Sequence, residues 1–188
     1  VIASYRMGGK YVWLPNVDSN HHRRVVDEGV GQGIDFMDEH GNVTADAMQI
    51  LSLIAETDMV LGVGHQSTAE RFAIVKAAVK LGIERIEITH VNYPPSWLTP
   101  EQCKMFADLG AYISIYAIDD AYYSWDEVMA VYHTVGPERM ILASDRGHIS
   151  MGHPIDGLRR LIVGFMQSGV PDDKIALMCK ANPYGLLH

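Results

Sequence analysis

The chain has 188 residues, a formal net charge of −8 and 48% hydrophobic residues, a profile typical of a soluble globular domain. It contains no run of lysine and arginine, no apolar stretch of about 18 residues and no signal-peptide pattern, which argues against nucleic-acid and membrane partners. Its two cysteines, Cys103 and Cys179, are too few for a disulfide framework. We therefore expect one cytoplasmic domain over residues 1–188 that binds a small molecule.

Taken from the N-terminus, the chain predicts a helix end followed by a series of buried strands. Residues 1–7 are typical of the last turns of a helix, which Gly8 and Gly9 terminate. An excursion over residues 33–41 separates the first two strands. Short apolar or β-branched runs predict strands at residues 11–14, 59–63, 85–89, 111–115 and 139–143.

Helices with recognisable start signals lie between these strands. The last two are predicted at residues 156–168 and 173–179. The start signals are Thr44, a capping box from Ser67 to Glu70, Thr99 followed by Pro100, and a capping box from Ser124 to Glu127. This alternation predicts an α/β fold with a parallel sheet, either open and doubly wound or part of a barrel. The glycine-rich fingerprint of a nucleotide fold is missing at residues 62–65.

Three of the predicted strands end in residues that can bind a metal. His65, His90 and Asp145 each come directly after a strand, and in α/β folds such positions line the active site. Imidazole nitrogens and carboxylate oxygens suit zinc, manganese or iron, and ligands drawn from several strands leave a position open for water. We therefore expect a divalent metal, with zinc as the first choice, bound by these three residues.

Beyond these three residues, several short motifs carry a resemblance to a known family. The histidines after the second and third predicted strands and the aspartate after the fifth resemble the pattern of the amidohydrolase superfamily, which consists of metal-dependent TIM-barrel hydrolases. The local motifs resemble an uncharacterised amidohydrolase-like family within it. These motifs lie at residues 12–18 (VWLPNVD), 64–67 (GHQS), 88–90 (ITH), 144–147 (SDRG) and 181–187 (ANPYGLL).

The resemblance implies a (β/α)8 TIM barrel of which this chain holds about five β/α units, equivalent to barrel strands four to eight. The superfamily's His-x-His pair, which supplies two metal ligands from strand one, is absent here; His21 and His22 are adjacent and follow the wrong strand. We expect the front strands to lie upstream in a longer chain, although they could belong to another chain or have been lost. The chain would then form a homo-oligomer or associate with its missing N-terminal segment.

The same resemblance implies hydrolysis of an amide, lactam or lactone-type bond by metal-activated water. Asp145 and His90 would be catalytic, with Asp145 moving the proton and His90 binding the metal or the water. One alternative is metal-dependent decarboxylation at the same site, with Arg146 as the carboxylate clamp. Another is a non-catalytic barrel subunit that lacks the complete metal set.

Polar residues in the surrounding loops are candidates for substrate binding. Asp18 and His21 follow the first strand, and Arg146 and His148 follow the last, with His153 nearby. We interpret residues 22–24 as a solvated helix start, and Glu70 as part of its capping box. The aromatic segments at residues 93–95 and 116–125 are expected to form a lid or an apolar wall over the site.

Overall fold

The computed structural model describes residues 1–26 and 33–188. In this part of the chain five strands form one parallel sheet, with the strands in sequence order. The strands are β1 (Tyr11–Trp13), β2 (Val60–Val63), β3 (Ile86–Ile88), β4 (Tyr112–Tyr116) and β5 (Met140–Ala143). All five predicted strands are confirmed, each within one residue at either end.

Helices precede or follow every strand, as expected for β/α units. They are α1 (Ile2–Arg6), α2 (Asn20–Val25), α3 (Ala45–Thr57), α4 (Thr68–Lys80), α5 (Pro100–Asp108), α6 (Trp125–Val135), α7 (Pro154–Gln167), α8 (Asp172–Ala176) and α9 (Asn182–Leu187). The caps of α3, α4, α5 and α6 are formed by Thr44, Ser67, Thr99 and Ser124, the residues named from sequence.

The sheet presents one face to the helices and buries it in the main core. Ile88 and Ile113 are paired across β3 and β4, are both fully buried, and pack with apolar residues of α4 and α5 such as Ile74 and Phe106. Because side chains alternate across a strand, the neighbours of these residues along each strand project to the opposite face of the sheet. That second face carries the polar residues described below.

The C-terminal helix α9 packs against the second face of the sheet. Leu186 of α9 forms a small cluster with Val60 and Ile141, separate from the main core. The predicted helix over residues 173–179 is too short, because helical structure runs from Asp172 to Leu187 with a π-helical turn at Leu177–Ala181.

The connection between β1 and α3 is irregular where the structure describes it. Its contacts include isolated bridges from Ser19 to Ile34 and from Met37 to Val43, in agreement with the excursion predicted there; residues 27–32 lie outside the described part. Among the described residues, no helix is long and apolar enough to span a lipid bilayer.

Candidate active site

His90 and Asp145 follow β3 and β5 and meet at the carboxyl end of the sheet. His90 Nε2 lies 3.3 Å from Asp145 Oδ2. Both residues have a left-handed backbone, with φ of 54° and 47°, a conformation that costs a residue with a Cβ atom about 1–2 kcal/mol. Strain of this kind clusters at functional sites, and here it brings an imidazole and a carboxylate together.

A second carboxylate holds the opposite edge of the His90 ring. Asp119, in the 3-10 turn after β4, is buried, and its Oδ2 lies 3.3 Å from His90 Nδ1. An ionised carboxylate accepts hydrogen bonds but cannot donate them. His90 therefore donates Nδ1–H to Asp119. The lone pair or second proton on Nε2 therefore faces Asp145.

Asp145 is poised to exchange a proton with His90. Burial raises the pKa of the Asp145 carboxyl above its ordinary value of 3.8, and the charge of Asp119 raises it further, while His90 acts in the opposite direction. A carboxyl group whose pKa is raised toward the working pH is better suited to general acid–base chemistry.

His65 lies next to His90, on the loop that follows β2. The two rings are 4.7 Å apart and meet edge to face. The loop is held by Asn16, whose Oδ1 accepts the backbone N–H of His65 at 3.3 Å, and by Ser19, whose hydroxyl donates to the His65 carbonyl at 3.0 Å. The chain after β1 thus fixes the histidine after β2.

The His65 imidazole is buried and electrically neutral. Its pKa is lowered to about 3, chiefly by burial and in smaller part by the neighbouring His90 and His22. Its Nδ1 lies 2.9 Å from His22 Nδ1, whereas its Nε2 is buried without a hydrogen-bond partner in the described part of the chain. A buried nitrogen of this kind is costly unless something binds it.

Aromatic rings cover the histidines. The Tyr93 ring lies 5.3 Å from that of His65 and 6.1 Å from that of His90, and Tyr116 packs 4.9 Å from His90. These three contacts agree with the predicted aromatic wall. Trp125 does not contribute to it, because its ring packs against Gly164 and Phe165 of α7.

A buried carboxyl group, Glu87 of β3, lines the same cleft as His90 and Asp145. The cleft has a volume of about 620 Å³. Glu87 accepts hydrogen bonds from the hydroxyls of Tyr11, Ser114 and Tyr116. Burial raises the pKa of Glu87 above its ordinary value of 4.5, although the bonds from Ser114 and Tyr116 lower it in part. The cleft therefore combines acidic groups with aromatic and aliphatic walls.

The donor set fits part of a metal site. His65 offers a neutral imidazole with an open, buried Nε2, which is the form in which histidine binds metals. Both nitrogens of His90 already face carboxylates. Within residues 1–26 and 33–188, no group of three or more His, Cys, Asp or Glu side chains converges on one metal position, so further ligands would have to come from elsewhere.

The loop residues predicted to bind substrate are not brought to the cleft. Asp18 pairs with Arg23 at the surface. His21 Nε2 contacts the Pro95 carbonyl at 2.7 Å, where it links α2 to the segment that carries Tyr93. His148 lies 2.7 Å from Ser150 within its own turn, and His153 accepts a hydrogen bond at the start of α7.

Arg146 also turns away from the cleft. Its guanidinium donates to the Ala117 carbonyl at 2.9 Å, to the Met151 carbonyl at 2.6 Å and to the Asp120 carboxylate at 2.6 Å. Its side chain packs where a Cβ atom on Gly157 would otherwise lie. With its donors engaged in this way, Arg146 is not positioned as a clamp for a carboxylate in the cleft.

The structure adds residues that the sequence did not single out. The interpretation of His22 as part of a solvated helix start was wrong, since His22 is only 5% exposed and contacts His65. Asp119 lies three residues beyond the end of β4, in a 3-10 turn, so a search limited to residues directly after a strand does not find it. Glu87 interrupts an apolar strand, a signal in itself, because a lone charge in a buried strand is rarely tolerated without partners.

Residues 1–114 match the model of a family of unknown function (DUF6282). The chain belongs to this family. No curated protein matches the chain.

Two solved structures share the fold of this chain. An amidohydrolase from Pseudomonas aeruginosa has a TM-score of 0.68 and 13% identity over 97% of this chain. A "Putative 2-Pyrone-4,6-Dicarboxylic Acid Hydrolase" from Pseudomonas putida has a TM-score of 0.59 and 15% identity over 99% of this chain. The matched region spans 65% and 66% of those two proteins. The chain therefore has the fold of about two thirds of each of these proteins, and the predicted fold, an α/β chain that forms part of a barrel, is confirmed.

Proposed function

We propose that this chain is the C-terminal part of a metal-dependent hydrolase that cleaves an amide, lactam or lactone-type bond of a small organic molecule. The observation that carries the proposal is the buried, unpartnered Nε2 of His65 beside the His90–Asp145 pair. A neutral ligand nitrogen and a proton-transfer pair are the two components that such hydrolysis needs. The names of the two similar structures support the same class of reaction.

In this proposal His65 Nε2 would hold one divalent metal, zinc in the first instance, together with ligands from outside the described residues. When bound, such a metal would supply Lewis acidity toward water and the scissile carbonyl. We keep Asp145 as a candidate ligand through its exposed carboxylate. His90 is better suited to hydrogen bonding than to ligation, because both its nitrogens face carboxylates.

Asp145 and His90 move protons in the proposed reaction. Asp145 Oδ2 accepts the proton of the attacking water and returns it to the departing amine or alkoxide. His90 Nε2, within 3.3 Å of that oxygen, would stabilise the Asp145 carboxylate before the first transfer and after the second. Asp119 keeps the His90 ring in position by accepting Nδ1–H, and the rings of Tyr93 and Tyr116 limit the access of bulk water.

The two rival functions differ in their support. Decarboxylation is weakened by the engagement of Arg146 outside the cleft. A non-catalytic barrel subunit is favoured by one observation, that the described residues lack a three-ligand metal cluster. We retain as proposals a single domain over residues 1–188, a cytoplasmic location, and a homo-oligomer or association with an N-terminal segment.

The test is the metal content of the full-length protein, purified without chelators or a histidine tag. We expect about one equivalent of zinc, manganese or iron, with a loss of metal in the His65→Ala variant. The matched control is His148→Ala, an exposed histidine outside the cleft, which should keep its metal. A wild-type protein without metal would overturn the hydrolase proposal and favour the non-catalytic subunit.

A further inference from the structure

His22 and His65 come from different elements but are tied together by one buried hydroxyl. Ser19, the N-cap of α2, accepts the backbone N–H of His22 at 3.1 Å and donates to the backbone carbonyl of His65 at 3.0 Å. Ser19 is completely buried. Ser19 thus links the two histidine backbones directly.

The rings of the two histidines lie close together with nearly parallel planes. Their centroids are 4.7 Å apart with an angle of 20° between the planes, and the two Nδ1 atoms are 2.9 Å apart. This distance is that of a hydrogen bond between ring nitrogens. A single proton must lie between the two atoms, so one ring donates at Nδ1 and the other accepts.

The surroundings of His65 decide which ring donates. If His65 accepted at Nδ1, its neutral ring would carry a proton on the buried Nε2, where no acceptor lies among the described residues. If His65 donates at Nδ1, Nε2 carries a lone pair instead. A lone pair can be satisfied by a metal ion, whereas an N–H group cannot bind one.

We propose that His22 is a positioning residue that accepts the Nδ1 proton of His65 and so keeps the His65 Nε2 lone pair available for a metal. The inference rests on the proposed function, which it deepens. Metal-binding histidines generally donate their second ring nitrogen to a carboxylate, a carbonyl or water. Here the imidazole of His22, in the helix after β1, would be the acceptor for the second ring nitrogen of His65.

Two substitutions separate the acceptor from the ring. His22→Phe keeps a ring of similar shape but has no acceptor, and His22→Asn places its Oδ1 where Nδ1 of histidine lies, so the acceptor is kept and the ring is lost. His21→Asn is the matched control, because His21 contacts the Pro95 carbonyl and not His65. Each is made in the full-length protein.

The first measurement is the side-chain nitrogen spectrum of His65 in the metal-free protein, assigned by comparison with His65→Ala. We expect the Nδ1–H tautomer in the wild type and in His22→Asn. A wild-type His65 with its proton on Nε2 would overturn the inference. This result does not depend on metal binding, so it is distinguishable from a failure of the proposed function.

The second measurement is zinc affinity by competition with a chromophoric chelator. We expect His22→Phe to bind zinc about 10–100-fold more weakly than wild type, the usual loss for such partners, while His22→Asn and His21→Asn stay close to wild type. Equal affinity in wild type and His22→Phe would contradict the inference. So would a zinc-induced shift at Nδ1 of His65 in place of Nε2.

Discussion

His90 Nε2 and Asp145 Oδ2 lie 3.3 Å apart, and each residue reaches that position through a left-handed backbone. Aspartate and histidine adopt this conformation more often than most residues that carry a Cβ atom, but it remains less favourable than a right-handed backbone. The pair therefore costs stability in its backbone, and the partial desolvation of the Asp145 carboxylate adds to that cost. This cost is expected where chemistry, and not folding, determines the residue.

Asp145→Asn should raise the stability of the protein while removing the proposed hydrolytic activity. Because the pKa of Asp145 is raised above 3.8 in the folded state, its contribution to stability is full below pH 3.8 and is lost as the pH rises through the folded pKa. Asparagine removes this loss and keeps the left-handed backbone. Chemical denaturation at pH 7 should give a higher free energy of unfolding than wild type.

The control for that experiment is Asp18→Asn. Asp18 is exposed and pairs with Arg23 at the surface, so the change should alter the free energy of unfolding by at most about 1 kcal/mol, downward. A lower stability of Asp145→Asn than of wild type at pH 7 would mean that the His90 contact outweighs the cost of burying the carboxylate.

Asp119→Ala should impair catalysis without impairing substrate binding. Without the Asp119 carboxylate the His90 ring loses the acceptor that holds Nδ1–H, and kcat should fall about 10–100-fold with KM little changed. The tautomer of His90, measured by nitrogen spectroscopy, should become mixed even without substrate. The neighbouring Asp120→Ala is the comparison, since Asp120 pairs with Arg146 and Arg160; a similar fall in kcat there would argue against a specific role for Asp119.

The fold was predictable because its signals are local. Apolar runs of four or five residues and capping residues such as Thr44 and Ser124 depend on neighbours within one helical turn. The positions of His65, His90 and Asp145 were predictable for a related reason, since parallel strands deliver the residues after them to one edge of the sheet. In these cases sequence spacing alone implies spatial proximity.

The directions of the loop side chains were not predictable in this way. Arg146 directly follows Asp145, yet its guanidinium is drawn away by Asp120 and by backbone carbonyls, and Gly157 leaves room for its side chain. The burial of His22 depends on Ser19, which pairs with Ile34 across the irregular connection. Contacts between residues far apart in the chain determine these outcomes, and no local pattern reports them.

Gly64→Ala should disturb the site through packing. A Cβ atom at Gly64 would lie 2.3 Å from the Thr89 hydroxyl and 2.9 Å from Asn16 Oδ1, the oxygen that accepts the His65 N–H. Overpacking of this kind costs about 1–3 kcal/mol, and displacing Asn16 should also weaken zinc binding. Thermal unfolding and zinc competition test both effects.

The matched glycine is Gly147, where a Cβ atom would meet nothing within 4 Å. Gly147→Ala should change the free energy of unfolding by less than about 0.5 kcal/mol, as for most surface substitutions. If the two alanine variants proved equally stable, the close approach of Thr89 and Asn16 would not constrain the loop.

Glu87→Gln should remove a pH dependence of stability. Burial raises the pKa of Glu87 in the folded protein, so the folded state binds the proton more tightly than the unfolded chain does. Its contribution to stability is therefore full below pH 4.5 and decreases as the pH rises through the folded pKa. Glutamine stays neutral throughout and keeps a side-chain oxygen that accepts from the hydroxyls of Ser114 and Tyr116.

Denaturation between pH 4 and pH 8 should give a free energy of unfolding that falls with rising pH in wild type relative to the Glu87→Gln variant. If the two curves stay parallel, the three hydroxyl donors compensate for burial and Glu87 is ionised in the native cleft.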